Sequence, residues 1–283
     1  MRLVSFSVAE SAVPRPGVLL EKPGAVIGLG EKYDDTLAVI AAGVTSVDNP
    51  SAYPSFKLGD VRLLAPISNP PRIFAIGLNY RDHATESRMA LPSAPVVFFK
   101  LATAIIGSGD AIVLPKNSRE PDYEAELAFV IGKGGYRIPA SDWREHVYGY
   151  TIINDVSARD VQRATSQWSL AKSFPTFCPM GPAIVTADEI ADPHQLEISL
   201  SIENEMRGET LQHSNTRELI FKIPELIEHI SSITPLLAGD IVSTGTPSGV
   251  GLGRTPQRWL KPGETVTVTI EGLGSLKNPV AAE

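Results

Sequence analysis

Cysteine is almost absent from this sequence. One thiol, Cys178, stands in 283 residues, so no disulfide closes within the chain and a reducing compartment is the expected setting. Long hydrophobic runs are missing too. No apolar stretch approaches the ~18 residues of a membrane span, and the N-terminal MRLVSFSVAESAVPRPG has no apolar signal-peptide core. A soluble, cytoplasmic protein is expected, with no membrane partner. Positive charge is scarce: 25 Lys and Arg against 32 Asp and Glu give a net charge of −7. No basic stripe offers itself to nucleic acid.

Missing motifs exclude several chemistries. There is no G-x-x-x-x-G-K-[ST] loop to cradle phosphates. GLGEKY at 28–33 lacks the third glycine of a dinucleotide turn and opens no convincing βαβ unit. No G-x-S-x-G elbow presents a nucleophilic serine. The five histidines, His83, His146, His194, His213 and His229, contain no H-x-x-x-H pair, which argues against a zinc protease. Cys178, in FCPMGP, is expected to pack as a small apolar residue and not to act as a nucleophile.

What is present is a strand-rich pattern. Hydrophobic residues make up 43% of the chain, enough for a large buried core. RIFAIGLN (72–79), APVVFFK (94–100), AELAFVIG (125–132), YGYTIIND (148–155), LEISLSIEN (196–204), GDIVSTG (239–245) and ETVTVTIEG (264–272) read as strands. Fewer segments read as helices: YRDHATESRM, SARDVQRATSQW and, longest, NTRELIFKIPELIEHISS, interrupted at Pro224. Ahead of these, RLVSFSV and AVIGL read as short strands and KYDDTLAVIAAG as a helix ended by Gly43. The proline-rich APISNPPR (65–72) reads as a linker. A small N-terminal domain, 1–66, is therefore expected before a larger one, 70–283. The fold class is α/β, β-rich, with mixed sheets.

The segment DYEAELAFVIG (122–132) carries the chemistry. Its period of two puts Asp122, Glu124 and Glu126 on one strand face, continued by Ala128 and Val130, with Tyr123, Ala125, Leu127, Phe129 and Ile131 on the other. Both faces turn apolar, so the strand is expected to be central and its acids buried. Burying a carboxylate costs several kcal/mol unless something pairs with it. Three explanations stand: a solvated edge, pairing with Lys or Arg, or a hard divalent cation, which all-oxygen donors suit. A further ligand from another strand is needed for the last. Asp155, closing YGYTIIND, offers one, and reads equally as a helix N-cap.

Seven segments, FAIGLNYRDHATES, PVVFFK, DYEAELAFVIG, GYTIINDVSARDVQ, AKSFPTFCPMGP, NTRELIF and GDIVSTGTPSGVG, occur in this order. Together they resemble the fumarylacetoacetate hydrolase family, over a stretch from about 73 to the C-terminus. The resemblance implies a β-roll catalytic domain of mixed sheets around Mg²⁺ or Mn²⁺, with a small N-terminal domain and a homodimeric assembly. It implies Glu124, Glu126 and Asp155 as metal ligands, with Asp122 outside the ligand set. The family's H-x-x-E dyad matches His83 and Glu86; a helix would put them on one face, where an ordinary surface ion pair is the alternative. Lys172 matches the active-site lysine. Arg159, Gln162 and Thr246 match candidate substrate contacts. Pro175 stands where the family usually has Asp, which bears on how Lys172 is held.

Three carboxylates leave positions open on a cation for a chelating 2-oxo acid. The expected activity is hydrolytic C–C cleavage of an acylpyruvate-like β-diketo acid, with His83 and Glu86 activating water. The alternatives are isomerisation or decarboxylation of 2-hydroxy-dienoic or 5-oxo-tricarboxylic acids in aromatic catabolism, or decarboxylation of oxaloacetate. A non-catalytic binding protein is disfavoured by the presence of His83, Glu86 and Lys172 together.

Overall fold

The computed structural model describes residues 1–8, 11–22, 24–204 and 208–283. Its strands are β1 (Arg2–Val8), β2 (Ser11–Leu20), β3 (Ala25–Gly28), β4 (Ser55–Lys57), β5 (Val61–Leu64), β6 (Ile73–Gly77), β7 (Val96–Lys100), β8 (Ile105–Ile106), β9 (Ile112–Leu114), β10 (Pro121–Asp122), β11 (Ala125–Ile131), β12 (Val147–Asn154), β13 (Ser157–Ala158), β14 (Cys178–Thr186), β15 (Glu197–Glu203), β16 (Gly208–Asn215), β17 (Ile241–Ser243), β18 (Thr265–Ile270) and β19 (Gly274–Ala282). The helices are α1 (Thr36–Ala41), α2 (Arg81–Glu86), α3 (Trp143–His146), α4 (Arg159–Ala164) and α5 (Ile223–Ile233).

Among the described residues a 12-stranded mixed sheet runs in the order β4-β3-β2-β1-β14-β12-β11-β17-β6-β7, with β5 on β1 and β8 on β14. A second sheet of five strands, β16-β15-β18-β19-β9, packs against it, and β10 pairs with β13. Strand β11 lies between β12 and β17, and all seven of its residues are buried. Its alternation sorts them between two cores. Leu127, Phe129 and Ile131 join Ile198, Leu200, Val266 and Val268 between the sheets. Ala128 and Val130 face the other way, onto Leu3, Val39 and Ile40. Glu124 and Glu126 precede Ala128 in sequence at the same alternation, and both are buried.

Residues 1–64 add their strands to the sheet that holds β11. Arg2 of β1 lies opposite Val185 of β14, and the Met1 ammonium donates to Thr186 Oγ1 at 2.6 Å. Thr36 Oγ1 donates to the Pro66 carbonyl at 2.6 Å, tying α1 to the start of the segment expected as a linker.

Two sequence expectations change in detail. Pro224 does not interrupt a helix. It sits in the first turn of α5, where its missing N–H costs nothing, and the residues before it form a turn. Strands β2 and β14 are not anticipated, because their prolines argue against ladder positions. Pro16 keeps its place through its carbonyl, which accepts from Leu29 N at 2.8 Å.

Because Leu3 is fully buried in the core beneath Ala128 and Val130, Leu3→Asp is expected to lower the melting temperature by at least ~10 °C, through an unpaired buried charge. Thermal unfolding followed by circular dichroism checks this; an unchanged midpoint would show that β1 is not packed on the sheet.

Candidate active site

Backbone register builds the site. In the β11–β12 ladder Ala125 lies opposite Asn154, so the residues just outside the ladder, Glu124 and Asp155, are neighbours. Asp155 N donates to the Glu124 carbonyl at 2.9 Å, and Glu124 N donates to Asn154 Oδ1 at 3.0 Å. Glu126 is one residue pair further in. The carboxylates of Glu124, Glu126 and Asp155 are all buried, and each offers an oxygen within 4.8 Å of the others. Asp155 does not cap a helix; α4 starts at Arg159 after Ala158.

Cations reach this cluster from three other places. Arg159 donates from Nε to Asp122 Oδ2 at 2.8 Å, from Nη2 to Glu124 Oε1 at 2.6 Å and from Nη1 to Gln162 Oε1 at 2.9 Å. Lys172 Nζ donates to Glu124 Oε2 at 2.5 Å and Asp155 Oδ2 at 2.6 Å. Lys100, closing β7, donates to Asp155 Oδ1 at 2.6 Å and to the Lys172 carbonyl. Asp122 also accepts from the N–H groups of Gly251 and Leu252, which draws the 249–252 loop over the cluster. Lys172 is thus held by carboxylates of the cluster itself, with Pro175 supplying none.

Glu126 has no cationic partner among the described residues. Its Oε2 accepts from Ser243 Oγ at 2.6 Å and Gly245 N at 3.0 Å. Gly245 aims that N–H with φ 98°, and a Cβ there would lie 2.9 Å from Asn79 Cβ. Burial, then the charges of Asp155 and Glu124, push the Glu126 carboxyl well above its usual range. Burial acts the same way on Glu124, but Arg159 and Lys172 outweigh it and hold that carboxyl below the usual range. Burial opposes the charge on Lys172, yet Asp155 and Glu124 raise its pKa.

Four buried carboxylates, Asp122, Glu124, Glu126 and Asp155, therefore face three buried cations, Lys100, Arg159 and Lys172. Glu126 is the carboxyl left without a cation, which agrees with its raised pKa. Beside it the Tyr80 hydroxyl is buried with no hydrogen-bond partner among the described residues, and the charge of Glu126 bears on it. A hard divalent cation fits this donor set: its ligands are oxygens, and it would supply the positive partner that Glu126 lacks.

His83, Arg159, Gln162 and Thr246 line the same cavity, of about 370 Å³, with Glu124, Glu126 and Lys172, and Glu86 stands behind His83. His83 Nδ1 lies 3.1 Å from Glu86 Oε2 on α2, and both side chains are largely buried. Glu86 is fixed in turn by Gly249 N at 2.9 Å. With Nδ1 paired to the carboxylate, Nε2 carries the lone pair. Thr246 Oγ1 accepts from Gln212 Nε2 at 2.9 Å, and Gln212 Oε1 accepts from Ala125 N at 2.9 Å, so Thr246 is positioned from β11. Cys178 is fully buried outside the cavity, and burial pushes its thiol up to about 12.

Lys100 and Ser243 are functional residues the sequence reading missed. The available signal for Lys100 is a lysine closing the otherwise apolar VVFFK. For Ser243 it is a hydroxyl inside the short apolar run IVS.

Comparisons with known proteins bear on this arrangement. The model of the fumarylacetoacetate hydrolase C-terminal family matches residues 72–281. A mitochondrial oxaloacetate tautomerase of Xenopus laevis is 43% identical over 292 residues, covering 99% of this chain and 90% of that protein. The fumarylacetoacetate hydrolase of Exiguobacterium antarcticum superposes with a TM-score of 0.89 at 35% identity, covering 100% of both chains. The maleylpyruvate hydrolase of Sphingobium sp. SYK-6, solved with manganese(II) and pyruvate, has a TM-score of 0.82 at 28% identity, covering 100% of this chain and 99% of that one.

Since Glu126 is held by neutral donors and has no cationic partner among the described residues, Glu126→Gln is expected to leave the cation-free protein at least as heat-stable as wild type. It should also remove the rise in melting temperature that Mg²⁺ or Mn²⁺ brings to wild type. Differential scanning calorimetry with and without the cation checks both halves; an intact cation-induced rise in the variant would contradict the ligand assignment.

Proposed function

The chain belongs to the fumarylacetoacetate hydrolase family, and from that premise we propose that it is a Mg²⁺- or Mn²⁺-dependent keto–enol tautomerase of 2-oxo acids of the oxaloacetate type. The observation that carries the reading is the pairing, in one cavity, of an acid cluster one cation short with a histidine–carboxylate dyad. The oxaloacetate tautomerase relative, alike over almost the whole chain, supports proton transfer as the chemistry.

Glu124, Glu126 and Asp155 would hold the cation, which supplies Lewis acidity toward the 2-oxo oxygen and the neighbouring carboxylate. His83 Nε2 carries the proton between C3 and the 2-oxo oxygen of the substrate, so that the proton lost by one is gained by the other. Glu86 fixes the ring and stabilises the imidazolium through Nδ1. Lys172 Nζ, beside Glu124 and Asp155, offers a positive charge to the oxygen on which negative charge develops. Thr246, with Arg159 and Gln162, is assigned to the substrate carboxylate. The site lies within 70–283, and 1–66 complete the sheet beneath it.

Hydrolytic cleavage of an acylpyruvate is the second reading. The same dyad favours it, since a lone pair on Nε2 in a polar cavity serves water as readily as a C–H, and the manganese- and pyruvate-bound hydrolase supports it. We read the assembly as a homodimer, supported by the exposed apolar side chains of Val96, Phe99 and Leu101 at the sheet edge and of Leu170. The reading places the enzyme in the cytoplasm, supported by its single buried cysteine; the mitochondrial relative makes the organelle matrix the alternative.

His83→Ala is expected to lower kcat for ketonisation of enol-oxaloacetate by about 10²–10⁴-fold while the cation-induced thermal shift stays as in wild type. Loss of enol absorbance at saturating Mg²⁺ measures it. Wild-type protein that cleaves acetylpyruvate but leaves enol-oxaloacetate at its spontaneous rate would replace the first reading by the second.

A further inference from the structure

We propose that Trp168 is a specificity-determining wall of the cavity, taking the non-reacting end of the substrate and selecting short 2-oxo acids over those with a bulky apolar substituent. The inference rests on the reading of the site as one for 2-oxo acids, and adds what limits their size.

Trp168 lies on the loop between α4 and Lys172, so one segment, 155–172, supplies Asp155, Arg159, Gln162, Trp168 and Lys172 to the cavity region. Its indole sits directly on the backbone of Gly77: a Cβ built there would lie 2.3 Å from Trp168 Cζ3. Only a residue without a side chain leaves this space, so the ring's seat is part of β6. The ring edge packs against Phe98, with centroids 5.7 Å apart at 73°. Phe98 in turn lies 5.0 Å from Lys172 Nζ, which links the wall to the acid cluster.

Two serines pin the loop on the edge of β7. Ser169 Oγ accepts from Phe99 N at 3.3 Å, and Ser173 Oγ accepts from Leu101 N at 3.1 Å. The indole is thereby held from both sides, by the chain that carries it and by the strand it leans on. Besides the acid cluster, Ile76, Leu78, Met89, Phe98, Trp168 and Leu252 give the cavity its apolar lining. The cations that line it are already engaged, Arg159 with Asp122 and Glu124, Lys172 with Glu124 and Asp155, and Arg163 with Glu120. Discrimination at this end is therefore steric. A bulky apolar group is excluded by the indole's volume and not by charge.

Trp168 stands in a half-buried position on a loop, so its removal opens space without dismantling a core. The test uses Trp168→Ala, and Gly77→Ala, whose Cβ displaces the ring while keeping it in the chain. Keto–enol conversion of oxaloacetate and of phenylpyruvate is followed with Mg²⁺ present. The kcat/KM ratio, phenylpyruvate over oxaloacetate, is expected to rise by about tenfold or more in both variants, the scale on which pocket size discriminates, through a lower KM for phenylpyruvate. Binding of the same two acids is read separately, from quenching of the Trp168 share of the fluorescence, taken as the difference between wild type and Trp168→Phe, which keeps Trp143 and Trp259. Absence of turnover for both acids would overturn the proposed reaction alone, since the binding ratio, measured by calorimetry in wild type and Trp168→Ala, still decides the role of the wall. A selectivity unchanged within about twofold, or an equal loss for both acids, would overturn the inference.

Discussion

Four carboxylates and three cations are buried together where β11 and β12 run out of their ladder, and this unequal charge is the constraint on which the site depends. Each ion removed from water costs several kcal/mol that only close partners return. The pairing is correspondingly dense. Arg159 spends all three of its nitrogens on Asp122, Glu124 and Gln162, and Lys172 bridges Glu124 and Asp155. Glu126 is the exception, steadied by a hydroxyl and one backbone N–H, which are dipoles and not charges. A fold retains such a group at a cost in stability where a ligand of opposite charge supplies the missing partner.

The rest of the architecture serves that cluster. The larger sheet continues on both sides of β11, so its acids are buried and reach solvent only through the cavity they line. β17 brings Ser243 alongside Glu126, and the chain after it turns at Gly245 into the loop that carries Thr246 and Gly249. That loop meets α2 through Glu86 and covers Asp122 with the N–H groups of Gly251 and Leu252. Substrate contacts, dyad and charge cluster are thus joined by hydrogen bonds within one cavity. The same cavity is lined both by acids, Glu124 and Glu126, and by the apolar rings of Phe98 and Trp168.

Much of the site is legible in the sequence because a strand preserves a period of two. Glu126 shares the parity of Ala128 and Val130 in β11; Glu124 lies just before that strand and Asp122 in β10, so the single strand face expected for the three acids is broken, yet the carboxylates of Glu124 and Glu126 still converge. The spacing of His83 and Glu86 also survives, as one turn of α2. The partners of the acids are not legible, because ion pairing is a property of the folded chain. Arg119 and Lys133, next to the strand in sequence, are elsewhere: Lys133 pairs with Glu145, and Arg119 donates its N–H to Asp160. The cations that do pair lie at residues 100, 159 and 172, on three separate parts of the chain. Strands β2 and β14 are obscured for a different reason. Their prolines forfeit donors, yet carbonyls and neighbouring residues keep them in the sheet.

The central claim is that the carboxyl of Glu126, left without a cationic side chain, shares one divalent cation with Glu124 and Asp155. Anomalous diffraction from crystals grown with Mn²⁺, recorded at the manganese absorption edge, tests it most directly. The account predicts one strong peak per chain enclosed by the carboxylate oxygens of Glu124, Glu126 and Asp155. No peak at that position, or manganese only on exposed carboxylates at the surface, would contradict it.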